Sequence, residues 1–240
     1  MRDEAENVSR ALLSVPCESG ILAIDAQSQD RSVEIAREFG ARIVVRPWEG
    51  FVATRRFAIG NVTTPWTFML DADEALDAEL GNALERLVPQ DDVDGYTVKR
   101  ATYFCGRAML HGTWGADMPL RFFRTSRAAL VANPVGGGVA DVHERWTVPG
   151  RTETVPGTLL HYSYPTLAAY GAKLQRYTTL EAHGLRGSPF SLVRESLLAL
   201  LRVPNALFVR SGWLDGWRGA YVAAGSAAYP VVVAWKALRS

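Results

Sequence analysis

Cysteine is scarce: Cys17 and Cys105 are the two in 240 residues, far apart and without metal-ligand spacing. A disulfide framework is thereby excluded, and free thiols in a reducing, cytosolic setting are expected. Net charge is nearly absent too, since 26 Lys and Arg against 25 Asp and Glu leave +1. That balance argues against wholesale nucleic-acid binding. No Gly-x-x-x-x-Gly-Lys loop occurs, which removes the P-loop nucleotidases. The stretch Gly219 to Trp235 carries no charge, but it is rich in Ala and Gly, contains Pro230 and sits at the lower length limit for crossing a bilayer. The opening Met1-Arg-Asp-Glu-Ala-Glu6 is charged rather than apolar, so no signal peptide is expected and a cytoplasmic location is read. Internal repeats and low-complexity tracts are lacking as well.

What is present is enough apolar material for a full core: 48% of the residues are hydrophobic. The charge is unevenly spread. From Arg186 onward seven Lys or Arg face two acids, against nineteen and twenty-three before it. Hydrophobic spacing predicts a helix over 4–14, a strand over 21–24, a helix over 31–39 capped by Gly40, and a strand over 42–45. A helix follows over 51–60, then a strand over 66–70 that runs into Asp71. Further on come a helix over 76–88, strands over 95–100, 120–124 and 158–162, and a Gly- and Pro-rich active-site loop over 131–157. Helices are expected over 166–183, 189–201 and 221–238. Strands alternating with helices imply an α/β fold with a mixed, mainly parallel central sheet, ligands gathering at the carboxyl ends of its strands. Such a sheet normally opens with a strand, whereas this pattern opens with a helix. A first strand is read as missing, through a start placed one strand too late rather than a helix-first fold. The division expected is a catalytic domain over 1–165 and a helical region over 166–240.

Asp71-Ala-Asp-Glu74 follows an apolar strand directly. In extended chain, residues two apart point the same way, so Asp71 and Asp73 are expected to converge on a hard cation, Mg²⁺ or Mn²⁺, with substrate phosphates completing its shell. A solvated acidic turn is the plainer alternative. His161, at a strand end, is either a third ligand or a core histidine. Asp25-Ala-Gln-Ser-Gln-Asp30 also lies between a strand and a helix. Asp25 can accept from a nucleobase or ribose, or Ser28 and Asp30 can simply cap the helix. Lys173, Arg176 and Tyr177 share a helical face suited to a diphosphate, or form a solvated basic face. Trp48 and Trp114 are sugar or base platforms, or packing. The aromatic and basic C-terminal helices, with Trp213, Trp217, Tyr221, Tyr229 and Trp235 beside Arg218, Lys236 and Arg239, suit either an anionic membrane surface or packing on another element.

Asp25-Ala-Gln-Ser-Gln-Asp30 resembles the Asp-Ser-Gly-Ser-Thr-Asp segment of family 2 glycosyltransferases, and Asp71-Ala-Asp-Glu74 resembles their Asp-x-Asp motif. Trp48-Glu-Gly-Phe51, Gly106-Arg107, Gly112-Thr-Trp114, Asp117, Arg121-Phe-Phe-Arg124, Val142-His-Glu144, His161-Tyr-Ser163 and Arg176-Tyr-Thr178 resemble the branch of lipopolysaccharide core β-glucosyltransferases. Members begin with an extra strand ending in an Asn-Glu-type segment, of which Arg2-Asp-Glu-Ala5 is the remnant. Gln27 and Gln29 depart from the usual Gly and Thr.

The resemblance implies a GT-A nucleotide-diphospho-sugar transferase fold and an inverting displacement that moves a sugar, glucose above others, from a UDP-sugar to a lipid-linked glycan such as lipopolysaccharide core. It also implies the base: Glu144, which follows the Arg-Phe-Phe-Arg strand, with Asp117 and Asp141 as alternatives. Asp25, Ser28, Asp30, Asp71, Lys173 and Arg176 are expected at the nucleotide, and Asp71, Asp73 and His161 at the metal. The enzyme is then expected peripherally on the inner face of the cytoplasmic membrane. The rival reading is an inactive nucleotide-sugar-binding or scaffold protein of the same fold. A nucleotidyl transferase on a related sheet would release diphosphate instead of UDP.

Overall fold

The computed structural model describes residues 1–16, 19–115, 117–132, 144–183 and 185–239. Asp141, Val142, His143, Cys17 and Gly136 to Gly138 lie outside them. The chain divides into two units, one of residues 1–100, 118–131 and 144–162, the other of residues 101–117, 132–143 and 163–240. Residues 101–117 belong to the second unit together with the C-terminal helices.

In the first unit α1 (Ala5–Leu13) leads to β1 (Leu22–Asp25), α2 (Ser32–Glu38), β2 (Arg42–Val45) and α3 (Phe51–Gly60). Gly40, at φ +74°, ends α2 in the left-handed conformation that glycine adopts without Cβ strain. Then follow β3 (Trp66–Phe68), β4 (Glu74–Leu76), α4 (Ala78–Arg86), β5 (Val93–Phe104), β6 (Arg107–Met109), β7 (Leu120–Arg124), β8 (Ala129–Ala132), β9 (Glu144–Thr147) and β10 (Arg151–Tyr164). β1 and β2 pair in parallel as a sheet of their own. Beside β1, the Met1 amino group donates to Ile24 O at 2.7 Å and Met1 O accepts from Ala26 N at 2.9 Å. The larger sheet has the order β3-β7-β5-β10-β4, with β6 on β5.

The sheets are mixed, as expected, yet the parallel share is smaller than the alternating pattern suggested: β3 with β7, β7 with β5, β5 with β6 and β10 with β4 are all antiparallel. The reason is local. β4 is three residues long and too short to show a period, so no strand is expected there and the helix is expected to start at Leu76; it pairs antiparallel with β10. The expected loop over 131–157 likewise contains β9 and the first half of β10. The 66–70 strand stops at Phe68, and Asp71 to Glu74 form a turn closed by Glu74 N to Asp71 O at 3.0 Å.

β7 shows how period 2 builds the site. Arg121 and Phe123 are buried on one face, while Phe122 on the other stacks on Trp66 at 5.0 Å. Leu76, Leu80, Val93, Tyr96, Val98, Val155 and Leu159 form the core beside that ring pair. Each such side chain contributes roughly 1.5–3 kcal/mol on burial. Gly157, at φ +97°, lets β10 cross α4 closely, since a Cβ there would lie 2.2 Å from Leu80 N.

In the second unit Cys105 and Gly106, at φ +48° and +78°, turn β5 into β6. Phe104 centres an aromatic cluster with Trp114, Tyr164, Tyr170, Trp217 and Tyr221. The helices are α5 (Leu167–Ala182), α6 (Pro189–Pro204) and α7 (Gly216–Arg239). Ser188 and Ser191 form a capping box ahead of α6, with Pro189 in its first turn. Between α6 and α7 lie a π-helical run over Asn205–Val209 and a 3₁₀ turn over Gly212–Asp215. Among the described residues, no helix is long and apolar enough to cross a membrane.

Candidate active site

The acidic turn after β3 is held by guanidinium groups that come from three other elements. Arg55 on α3 donates to both oxygens of Asp71, at 2.8 and 3.0 Å, and reaches Glu144 on β9 at 2.6 Å. Arg121 on β7, 4% exposed, pairs with Asp71 at 3.2 Å and with Glu74, and Arg100 on β5 reaches Glu74 at 3.3 Å. β3 continues beside β7 through Met69 N to Arg121 O at 2.8 Å, which carries the turn to Arg121. Glu74 also accepts from Asp71 N at 3.0 Å. Asp73 faces a different group: its Oδ2 lies 3.3 Å from His161 Nε2. β10 brings His161 there, because His161 is in register with Glu74 and Tyr162 N donates to Asp73 O at 2.8 Å.

Burial works to raise Asp71, but Arg55, Arg121 and His161 outweigh it and hold the carboxyl well below its ordinary range. Glu74 goes the other way: burial and the Asp71 charge push it up against Arg121, His161 and Arg100. Within this cluster, four carboxylates (Asp71, Asp73, Glu74, Glu144) meet three guanidinium groups.

Comparison with known proteins decides the family. The profile described as "Glycosyl transferase family 2" matches residues 5–138. The chain belongs to glycosyl transferase family 2. An uncharacterized glycosyltransferase of Rickettsia felis is 33% identical over 233 residues, covering 91% of this chain and 80% of that one. The lipopolysaccharide core biosynthesis glycosyltransferase LpsC of Rhizobium meliloti is 27% identical over 229 residues, covering 90% and 81%. Among solved structures, the mannosyltransferase PcManGT of Pyrobaculum calidifontis, in complex with GDP-Man and Mn²⁺, superposes at a TM-score of 0.50 with 13% identity, covering 99% of this chain and 85% of that one. The fold is GT-A, and the chain is a glycosyltransferase of the family 2 type.

The family 2 motif residues are placed unequally. Asp71, Asp73, His161 and Glu144, from three separated motifs, come together in the first unit, with Arg55 joining the first and last. The expected triad of Asp71, Asp73 and His161 on one cation is not assembled: among the described residues no three His, Cys, Asp or Glu side chains are grouped to hold a metal. The extended-strand argument fails because 71–74 is a turn, and Arg55 and Arg121 occupy the Asp71 oxygens.

The Asp25 loop is held by its own hydrogen bonds. Buried Asp25 accepts from Ser28 N at 3.0 Å and Ser28 Oγ at 2.6 Å, and Asp30 accepts from Ala5 N and Ser32 N, both at 2.9 Å, at the starts of α1 and α2. Gln27, where relatives of this motif carry Gly, keeps φ +60°. The loop therefore holds a glycine-type backbone despite the substitution. Lys173 and Arg176 lie on α5 in the second unit, Lys173 donating to Ser163 Oγ at 3.0 Å and Arg176 exposed. Asp117 belongs to that unit as well. Trp114 stacks on Tyr164 at 5.1 Å, and exposed Trp48 meets Phe51 edge-on at 4.8 Å.

Arg55, Glu74, Arg100 and Arg121 had no role assigned from sequence. Arg121 carried a usable signal, a charge at a buried position of an apolar strand, which folds stably only against a partner. Arg55 carried none, being one of two adjacent arginines on a helix.

Proposed function

We propose that this glycosyltransferase moves a sugar, glucose above others, from a UDP-sugar to a lipid-linked glycan at the inner membrane face, with inversion. The observation that carries the reading is the convergence of the Asp71, Glu144 and His161 motifs on one charged cluster through Arg55 and the β10 register. The name of the LpsC relative supports a lipopolysaccharide-type acceptor. The GDP-Man and Mn²⁺ bound to the mannosyltransferase support a nucleotide-sugar donor and a divalent metal.

Asp73 and His161 fit such a metal as a pair. Asp73 Oδ2 and His161 Nε2, 3.3 Å apart, would hold the cation together. His161 Nδ1 is buried and no hydrogen-bond partner reaches it among the described residues, so a metal-binding tautomer would leave an unpaired N–H there, at about 1–3 kcal/mol. The Asp73 carboxylate and the donor's phosphate oxygens have to outweigh that cost. When bound, Mg²⁺ or Mn²⁺ supplies charge neutralisation for the departing diphosphate.

The residues of the chain do the rest. Glu144 takes the proton of the acceptor hydroxyl as its oxygen bonds to the anomeric carbon, and the bond from that carbon to the diphosphate breaks to release UDP. Arg55 fixes the Glu144 carboxylate against Asp71 and so sets the position of the base. Asp25 and Ser28 are read as nucleotide contacts, which requires their mutual hydrogen bonds to open. Lys173 and Arg176 are read as diphosphate contacts, with Asp117 and Asp141 kept as alternative bases.

The test is UDP release from UDP-glucose with and without Mg²⁺ or Mn²⁺, in wild type and Asp73→Ala, alongside calorimetric titration with UDP. Release that needs the metal and disappears in Asp73→Ala supports the reading. UDP binding without turnover under any condition would make the chain a binding protein.

A further inference from the structure

α6 is amphipathic in the reverse sense for a water-facing helix. Phe190, Val193, Leu197, Leu200 and Leu201 recur at the spacing of one helical stripe, and that stripe faces outward: Phe190 is 76% and Leu200 70% exposed. Its inward positions hold Ala199 and the buried Glu195. The apolar surface continues past the helix through Phe208, Val209, Trp213 and Trp217, all more than half exposed. A run of this extent is rare on a water-facing surface and marks a binding face.

The charge around it has one sign. Glu195 and Asp215, the acids between Arg186 and Arg239, are both buried and engaged. Glu195 binds Arg194 and Arg202 at 2.7 Å each, and Asp215 accepts from His111 N at 3.0 Å. Arg186, Arg194, Arg210 and Arg239 are exposed. A recess of about 360 Å³ beside α6 has a mixed lining that includes Leu198, Leu201, Asn205, Ser226, Arg202 and Arg210. A bilayer with anionic headgroups offers apolar depth and opposite charge together, and no described helix is able to span it.

We propose that the outer face of α6 and the turn after it lie in the headgroup zone of an anionic phospholipid membrane, with the flanking arginines on lipid phosphates. This deepens the acceptor reading above by naming the surface that meets the membrane.

The experiment is flotation of the full chain with vesicles of phosphatidylethanolamine and phosphatidylglycerol, and with phosphatidylcholine alone. Wild type should float with the anionic vesicles and about tenfold less with the neutral ones. Leu197→Glu with Leu201→Glu should lose at least about tenfold of the bound fraction, with an unchanged far-ultraviolet spectrum because both positions already face water. Arg186→Gln with Arg210→Gln should lose the anionic preference. Failure of the wild type to float, equal flotation with both lipids, or flotation of the Leu197→Glu, Leu201→Glu variant like wild type overturns the proposal. So does a sedimentation-equilibrium dimer that this variant disperses without any lipid binding. Neither donor nor acceptor is present, so failure here leaves the transfer reading standing, while loss of UDP release in Asp73→Ala leaves flotation untouched.

Discussion

Arg121→Met removes the guanidinium that ties Asp71 to Glu74 while keeping most of the apolar stem. Breaking a buried pair from one side costs about 3–5 kcal/mol. The lower end applies here, because Asp71 keeps Arg55 at 2.8 Å and Glu74 keeps Arg100 at 3.3 Å. For a chain of this size about 3 kcal/mol corresponds to roughly 6–12 °C in Tm. The loss should depend on pH in a stated sense. Burial and Asp71 already raise Glu74 above its ordinary 4.5, so its ionised form weakens the fold above that value, and protonation relieves the fold as pH falls through the raised one. Without Arg121 that upward push grows, and the penalty is largest near pH 7 and shrinks toward about pH 5. Asp71 has the opposite sign. Its depressed carboxyl contributes fully above the ordinary 3.8 and is lost below, so it stays constant across that window. Adding Glu74→Gln to Arg121→Met should recover about 1–3 kcal/mol. Thermal melts followed by circular dichroism at several pH values read all of this. A Tm shift under about 2 °C at pH 7, or a penalty that grows on acidification, refutes the reasoning.

Glu144→Gln should remove turnover while leaving UDP affinity within about twofold, as read by UDP release and calorimetry; lost UDP binding would make Glu144 structural. Arg55→Ala should lower turnover by about tenfold or more and also lower Tm, since it removes the guanidinium 2.6 Å from the 6%-exposed Glu144 side chain, and Arg55→Lys should recover stability better than rate. His161→Gln should raise the Mn²⁺ concentration needed for half-maximal UDP release by about tenfold, and an unchanged requirement would remove His161 from the metal. Gly157→Ala should cost about 2–4 kcal/mol in a denaturant titration, because the new Cβ meets the start of α4 and φ is +97°.

Local pattern was enough for elements whose ends carry their own chemistry. α3 over Phe51–Gly60, β2 over Arg42–Val45 and β7 over Leu120–Arg124 lie where their spacing put them, and Gly40 ends α2. Asp71, Asp73, His161 and Glu144 were likewise legible as a set, because motif residues keep their order along the chain. β4 was not legible, since three residues show no period and its strand character comes from pairing with β10.

Sequence by itself determined the family and the alternation of strands and helices, and it singled out Asp71, Asp73, Glu144 and His161 as candidates. Tertiary structure alone decided which partner each acid takes: Arg55 joins Asp71 to Glu144, Arg121 joins Asp71 to Glu74, and Asp73 turns to His161. It also decided that the apolar stripe of α6 faces outward. The physical reason is the same in both cases. Periodicity records which side chains share a face, but the partner of a charge and the side a face turns to depend on contacts between residues far apart in the chain.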